Sequence, residues 1–270
     1  MAGAPRARPR RSLGQHFLSD DNILRRIVDA LEPTAGDVVL EIGPGQGTLT
    51  HELLRRGVQV IAIEKDARLA EQLRIGDVGL RSAQIVEGDA LRLDWHALNP
   101  QSAIRNPPWK VIGNIPYYIT TPLIDKALTP PLPERVVFLV QEEVADRIVA
   151  PPGSKTYGAL SVGVQVVARA EKLFTIKPGS FRPPPRVHSA LVRLRPLLEP
   201  LVDQGEIPRL RQFVTACFGL RRKQLRNVLR SVTGRSASLV AAELAALGLD
   251  PQARPEALSP KDFVRLLRWA

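Results

Sequence analysis

Val38-Val-Leu-Glu-Ile-Gly-Pro-Gly-Gln-Gly47 decides the fold. A short β-branched run that ends in clustered glycines, followed by a helical pattern over Thr48–Arg56, reads as buried strand, tight turn and helix; Gly57 can then end the helix in a left-handed conformation. The unit recurs along the chain. Val58–Ile63 reads as a second strand and Ala67–Leu73 as a second helix, Gln84–Val86 and Lys110–Gly113 as strands three and four, and Arg135–Val140 as a fifth, followed by a helix through Ala150. Strands alternating with helices at this spacing need crossover connections, and hence a parallel sheet. Tyr157–Arg169 reads as another helix. Leu173–Ile176 and Ser189–Leu194 are joined by a Pro-rich segment too tight to hold a helix, so this pair is expected to be antiparallel and to close one edge. The fold class is α/β, with a mostly parallel seven-stranded sheet whose last strand is antiparallel.

Composition bounds the rest. The 270 residues are 44% apolar, enough for a sizeable core and for two domains. The single cysteine, Cys217, excludes an intrachain disulfide and a multi-cysteine zinc site, and the four histidines are scattered, so no metal is expected. Apolar runs such as Val136–Val140 fall far short of a membrane span, and the four arginines before Ser12 precede no apolar block, so the expectation is a soluble cytoplasmic protein. The net charge of +11 is unevenly placed: residues 1–18 carry +4, residues 191–270 carry +7, and the body between them is neutral. Segregated positive charge is the footprint of a polyanion, since clustered cations neutralise phosphates with release of counterions. A solvated basic tail is the alternative. The expected organisation is a basic segment over 1–18, an α/β domain over 19–195, a linker over 196–208 containing three prolines, and a small helical domain over 209–270. In the last, Ser259-Pro-Lys-Asp262 reads as a capped helix start.

In an open parallel sheet, ligands lie outside the carboxyl ends of the strands, so the residues just after each strand are the candidates. After strand one, Gly43, Gly45 and Gly47 let the backbone approach a ligand closely and aim helix N-terminal N–H groups at an anionic part of it. Their G-x-G-x-G spacing differs from the dinucleotide fingerprint, and a plain strand-to-helix turn is the alternative. Glu64 ends strand two, where a carboxylate can accept both ribose hydroxyls of an adenosine-containing cofactor; Asp89, after strand three, can accept an adenine amino group. Strand four ends in Asn114-Ile115-Pro116-Tyr117. An exocyclic adenine amine is a poor nucleophile because its lone pair is delocalised into the ring. If the Asn114 side-chain oxygen and the Ile115 carbonyl each accept an N–H, the nitrogen can move toward tetrahedral geometry. Pro116 stiffens the turn and Tyr117 offers a ring face for the base; a Tyr packed in the core is the alternative.

The chain resembles the ribosomal RNA adenine N6-dimethyltransferase family over nearly its whole length. The resemblance rests on Leu13-Gly-Gln-His-Phe-Leu18, Glu41-Ile-Gly-Pro-Gly45, Asn114-Ile-Pro-Tyr117, Ser154-Lys-x-Tyr-Gly158, Phe181-Arg-Pro-Pro-Pro-Arg-Val187 and Arg221-Arg-Lys-Gln-Leu-Arg-Asn-Val-Leu229. It implies a Rossmann-like class I methyltransferase domain, S-adenosyl-L-methionine as cofactor, and dimethylation of two adjacent adenosines near the 3′ end of small-subunit (16S) rRNA, with the immature 30S particle as partner and a monomeric enzyme. It further implies that His16 and Leu18 lie beside the cofactor, with Gly43, Glu64, Asp89 and Asn114, and that Phe181 forms a second aromatic wall opposite Tyr117. A buried Phe anchoring a stiff loop is the other reading of Phe181.

Arg221, Arg222, Lys223, Arg226 and Arg230 are the RNA-binding candidates. Arg222, Arg226 and Arg230 are spaced to share one helix face, with no acid between Leu220 and Arg230. Two other functions stay open: a large-subunit rRNA adenine dimethyltransferase, which shares Asn-Ile-Pro-Tyr, and a non-catalytic assembly or nucleic-acid-binding factor on the same fold.

Overall fold

Residues 15–75, 78–98 and 109–270 are described by a computed structural model of the chain. Leu13, Gly14 and the four arginines of the basic segment lie outside the described residues. In chain order the strands are β1 (Phe17–Leu18), β2 (Val38–Ile42), β3 (Gln59–Glu64), β4 (Gln84–Glu87), β5 (Trp109–Asn114), β6 (Arg135–Gln141), β7 (Ala168–Ile176), β8 (Phe181–Arg182) and β9 (Ser189–Pro196). The helices are α1 (Asp21–Leu31), α2 (Thr48–Arg55), α3 (Ala67–Ile75), α4 (Trp95–Leu98), α5 (Thr120–Ala127), α6 (Glu142–Val149), α7 (Ala159–Gln165), α8 (Ile207–Gly219), α9 (Leu225–Thr233), α10 (Ala237–Leu247) and α11 (Pro260–Trp269).

The β-branched run Val38–Ile42 is buried at every position, as a central parallel strand must be. The seven-stranded sheet runs β4-β3-β2-β5-β6-β9-β7. Pairings from β4 through β6 are parallel, as the alternation of elements predicts, and the last strand, β9, lies antiparallel on β6. Strand order reverses between β2 and β5, so a crevice opens at their carboxyl ends. Register fixes what meets there: Ile42 lies opposite Ile63 on one side and Gly113 on the other, and Glu64 lies opposite Glu87. The other end of the sheet is tied by charge, with the Lys110 Nζ 2.7 Å from the Asp37 carboxylate, both buried.

Three features depart from the sequence reading. The helix expected over Tyr157–Arg169 is only Ala159–Gln165; Val166 caps it and β7 begins at Ala168, where pairing in the sheet overrides the helical periodicity. A helix absent from that reading, α1, is capped by Asp20, whose carboxylate accepts the Asn22 and Ile23 N–H groups, and buries Leu24, Ile27, Val28 and Leu31. A second sheet pairs β1 with β8, matching Phe17 with Arg182 and Leu18 with Phe181.

The chain divides into two compact units. One comprises the described residues up to Ala145 together with Glu171–Pro196; the other comprises Asp146–Ala170 and Leu197–Ala270. The second is therefore larger than the helical domain expected over 209–270. Tyr157 explains the difference: fully buried, it donates its hydroxyl to the Leu258 carbonyl at 2.9 Å and sets its ring edge against Phe218. The 196–208 stretch is fastened rather than free, since the Leu197 and Leu201 N–H groups donate to the carbonyls of Val167 and Val166. α8 begins at Ile207, with Pro208 in its first turn, and α11 starts on Ser259, whose hydroxyl accepts the Asp262 N–H.

Candidate active site

The carboxyl ends of β2, β3, β4 and β5 surround a cleft enclosing about 1140 Å³, its open mouth included. It is lined by His16, Leu18, Gly43, Gly45, Glu64 and Asp89, and by the run Asn114 to Tyr117. Gly45 has φ +59°, and a Cβ there would lie 2.8 Å from the Phe17 ring, so only glycine fits this turn against that wall. Its N–H donates to Glu64 at 3.0 Å, and the other Glu64 oxygen accepts the Asp66 N–H at 2.8 Å. Burial pushes the Glu64 carboxyl above its ordinary value, opposed by these two N–H donors. Asp89 behaves differently: a hydrogen bond from Lys65 at 2.8 Å holds it below the ordinary carboxylate range, and its second oxygen accepts the Leu91 N–H.

Asn114 is held with unusual definition. Its side-chain nitrogen donates to the His16 carbonyl at 2.8 Å. A carbonyl only accepts, so the amide orientation is fixed and Oδ1 keeps its lone pairs for another donor. The Tyr117 hydroxyl lies 2.6 Å from that of buried Ser189, and its ring stacks on His16 at 6.1 Å and 25°. The His16 Nδ1 donates to the Pro183 carbonyl at 2.8 Å. His16 thus braces both Asn114 and Tyr117.

Phe181 corrects an expectation. Its side chain is fully buried in the core cluster that includes Leu18, Leu24, Ile27 and Ile176, and it does not line the cleft. Pairing with Leu18 turns it inward, which is the loop-anchoring alternative. The sequence reading missed Ser189, Lys65 and the exposed Tyr118 at the mouth. Nothing local marks the first two, whose partners are 72 and 24 residues away.

Glu41 was also missed, although its place in an all-apolar strand was a signal. It is 1% exposed and accepts the Thr50 hydroxyl at 2.7 Å. Burial pushes its carboxyl up to about 8, with the Thr50 hydrogen bond opposing and the Glu64 charge adding. The folded protein holds a proton there that the unfolded chain releases from its ordinary value of 4.5 upward, so stability falls as pH rises from about 4.5 to 8. Glu41→Gln keeps an acceptor for Thr50 without titrating. Wild type is expected to lose on the order of 4 kcal/mol relative to this variant between pH 5 and pH 8, read by urea melts at both. An unchanged difference would mean Glu41 is ionised throughout.

In the helical unit the basic candidates separate. Arg221 is 2.7 Å from Glu256 and donates to the Lys155 carbonyl, so it is engaged in packing. Arg222 precedes α9, whose N-cap is Gln224, so the expected single helix face carrying Arg222, Arg226 and Arg230 reduces to the exposed Arg226 and Arg230. Arg222 and Lys223 are exposed in the turn before it.

The family model described as ribosomal RNA adenine dimethylase matches residues 6–270. A protein of Hahella chejuensis named ribosomal RNA small subunit methyltransferase A is 40% identical over 258 residues, covering 95% of this chain and 91% of that one. A protein of the same name from Thermosynechococcus vestitus is 43% identical over 265 residues, covering 96% of each. Among solved structures, a dimethyladenosine transferase from Plasmodium falciparum superposes with a TM-score of 0.77 at 26% identity, covering 94% of this chain and 97% of that one. The 23S rRNA methyltransferase ErmE superposes at 0.70 with 29% identity, covering 93% and 98%.

Proposed function

Because this chain belongs to the ribosomal RNA adenine dimethylase family, we propose that its cleft binds S-adenosyl-L-methionine and dimethylates N6 of two adjacent adenosines near the 3′ end of small-subunit rRNA, in the immature 30S particle. The chain is an rRNA adenine dimethyltransferase. The choice of small over large subunit is supported by relatives at 40–43% identity, against 29% for the 23S enzyme.

The cleft fits the cofactor. Gly45 leaves room at the turn that a Cβ would fill, and buried Glu64 keeps lone pairs beyond the two N–H groups it accepts. In this reading Glu64 takes the ribose hydroxyls and Asp89 the adenine amine, with His16, Leu18 and Gly43 completing the wall. When bound, S-adenosyl-L-methionine supplies a methyl group made electrophilic by its sulfonium. The orientation of Asn114 by the His16 carbonyl is the observation that carries the reading. Asn114 Oδ1 and the Ile115 carbonyl accept the N–H bonds of the target amine, which localises the lone pair on nitrogen. Tyr117, held by Ser189, keeps the extruded base in place. The amine loses its proton after attack, so no strong base is needed.

The test is incubation with unmethylated small particles and digestion to nucleosides. N6,N6-dimethyladenosine is expected; monomethyl product alone would contradict dimethylation, and tight particle binding without any product would favour an assembly factor. RNA grip by the helical unit has its own test. Neutralising Arg222, Arg226 and Arg230 is expected to weaken binding broadly and to flatten the log–log salt dependence by about 2. An unchanged slope would remove this surface from the interface.

A further inference from the structure

Residues 172–198 contain six cations, Lys172, Lys177, Arg182, Arg186, Arg193 and Arg195, and no Asp or Glu. The cations on the long strands are neutralised. Lys172 lies 2.9 Å from Glu142, and Arg193 and Arg195 share the carboxylates of Glu32 and Glu171. The other three, in the segment joining β7 to β9, are exposed, and among the described residues none has an ion-pair partner. The neutral total of the α/β body therefore conceals a local excess of free positive charge.

That segment is fastened to the cleft wall. Its Phe181 and Arg182 pair with Leu18 and Phe17, the Ser19 N–H donates to the Ser180 carbonyl at 3.0 Å, and the His16 Nδ1 donates to the Pro183 carbonyl. His16, Phe17 and Leu18 themselves line the cleft. Because side chains alternate along a strand, inward Phe181 sends Arg182 outward. Three consecutive prolines, Pro183 to Pro185, restrict the backbone between Arg182 and Arg186, so little ordering cost remains when an anion binds. Guanidinium groups at such a rim suit the phosphodiesters of an extruded strand, which position the nucleic acid without reading its sequence.

We propose that this Pro-rich segment is a phosphate clamp at the rim of the cleft, in which Arg182 and Arg186, with Lys177, grip the RNA backbone next to the target adenosine. The proposal rests on the rRNA methyltransferase reading above. It assigns local grip to the α/β unit, in addition to the grip proposed for the basic residues of the helical unit.

The experiment uses the full chain with small-subunit particles from an unmethylated strain. The double variant R182Q/R186Q is expected to raise KM for particles about tenfold and to flatten the salt dependence of binding by about 1.4, at about 0.7 per single-strand phosphate. Affinity for labelled S-adenosyl-L-methionine stays unchanged, which separates the effect from a damaged cleft, and R182K/R186K recovers the wild-type slope. A photo-crosslinking side chain at exposed Val187 is expected to mark rRNA within a few nucleotides of the methylated adenosines. A wild type that methylates while the double variant keeps its KM and slope overturns the clamp alone, as do crosslinks confined to distant rRNA. A wild type that leaves the particles unmethylated overturns the functional reading, and the clamp with it.

Discussion

Asn114→Ala is expected to lower turnover at saturating cofactor by about 10²–10³, the usual cost of losing one preorganised polar contact to the reacting group. The size of the loss follows from how the side chain is held. With its nitrogen committed to the His16 carbonyl at 2.8 Å, Oδ1 is aimed before substrate arrives, and no reorganisation is needed at the moment of attack. Asn114→Asp should not rescue. A carboxylate cannot donate to the His16 carbonyl, so two acceptors would face each other and the side chain would turn away. Saturating cofactor matters because Asn114 is also proposed to touch it, and a pure binding defect would then disappear. Turnover within threefold of wild type would remove the Asn114 side chain from the chemistry.

Gly113→Ala is the second large effect, and it acts on fold and site together. Gly113 lies on central strand β5 opposite Ile42, and an added Cβ would sit 2.7 Å from the Ile42 carbonyl oxygen and 3.1 Å from the Ile115 side chain. The obstruction is backbone of the neighbouring strand, which cannot rotate away, so β2 and β5 must separate where the cleft opens. Overpacking of this kind costs about 3 kcal/mol, and a melting temperature lower by about 6–12 °C is expected. Cofactor affinity should fall as well. Gly163→Ala supplies the contrast: this glycine sits inside α7 with nothing within 4 Å of a new Cβ, so the substitution should stabilise by about 0.5–1 kcal/mol. A Gly113→Ala protein that melts like wild type would mean that the strands tolerate a wider spacing.

What the sequence reveals of this protein divides by the range of the interaction that decides each feature. The parallel sheet is legible because buried strands such as Val38–Ile42, apolar except for Glu41, and Arg135–Gln141, apolar from Val136 to Val140, are set between helical periods. The lining of the cleft is legible for the same reason. Once the strands are parallel, Gly43, Glu64, Asp89 and Asn114 must emerge at one edge. Phe181 shows where such reading stops: its direction is set by pairing with Leu18, and two-residue strands leave no periodicity. Arg221 is similar, since the carboxylate that engages it, Glu256, is 35 residues away and outside any local charge count. Helix α1 was legible but passed over; Asp20 followed by Leu24, Ile27, Val28 and Leu31 is a capped amphipathic pattern. The charge division also changes with the fold in view. Three exposed cations, Lys177, Arg182 and Arg186, sit in the segment fastened beside the cleft, whereas Lys172 on β7 and Arg193 and Arg195 on β9 are paired with carboxylates.

The most direct measurement is transfer of labelled methyl groups into small and large ribosomal particles from an unmethylated strain, with primer-extension mapping of the modified nucleotides. Label confined to small particles, at two adjacent adenosines near the 3′ end of their rRNA, is the predicted result. Label in large particles, or at an isolated adenosine elsewhere, would contradict it.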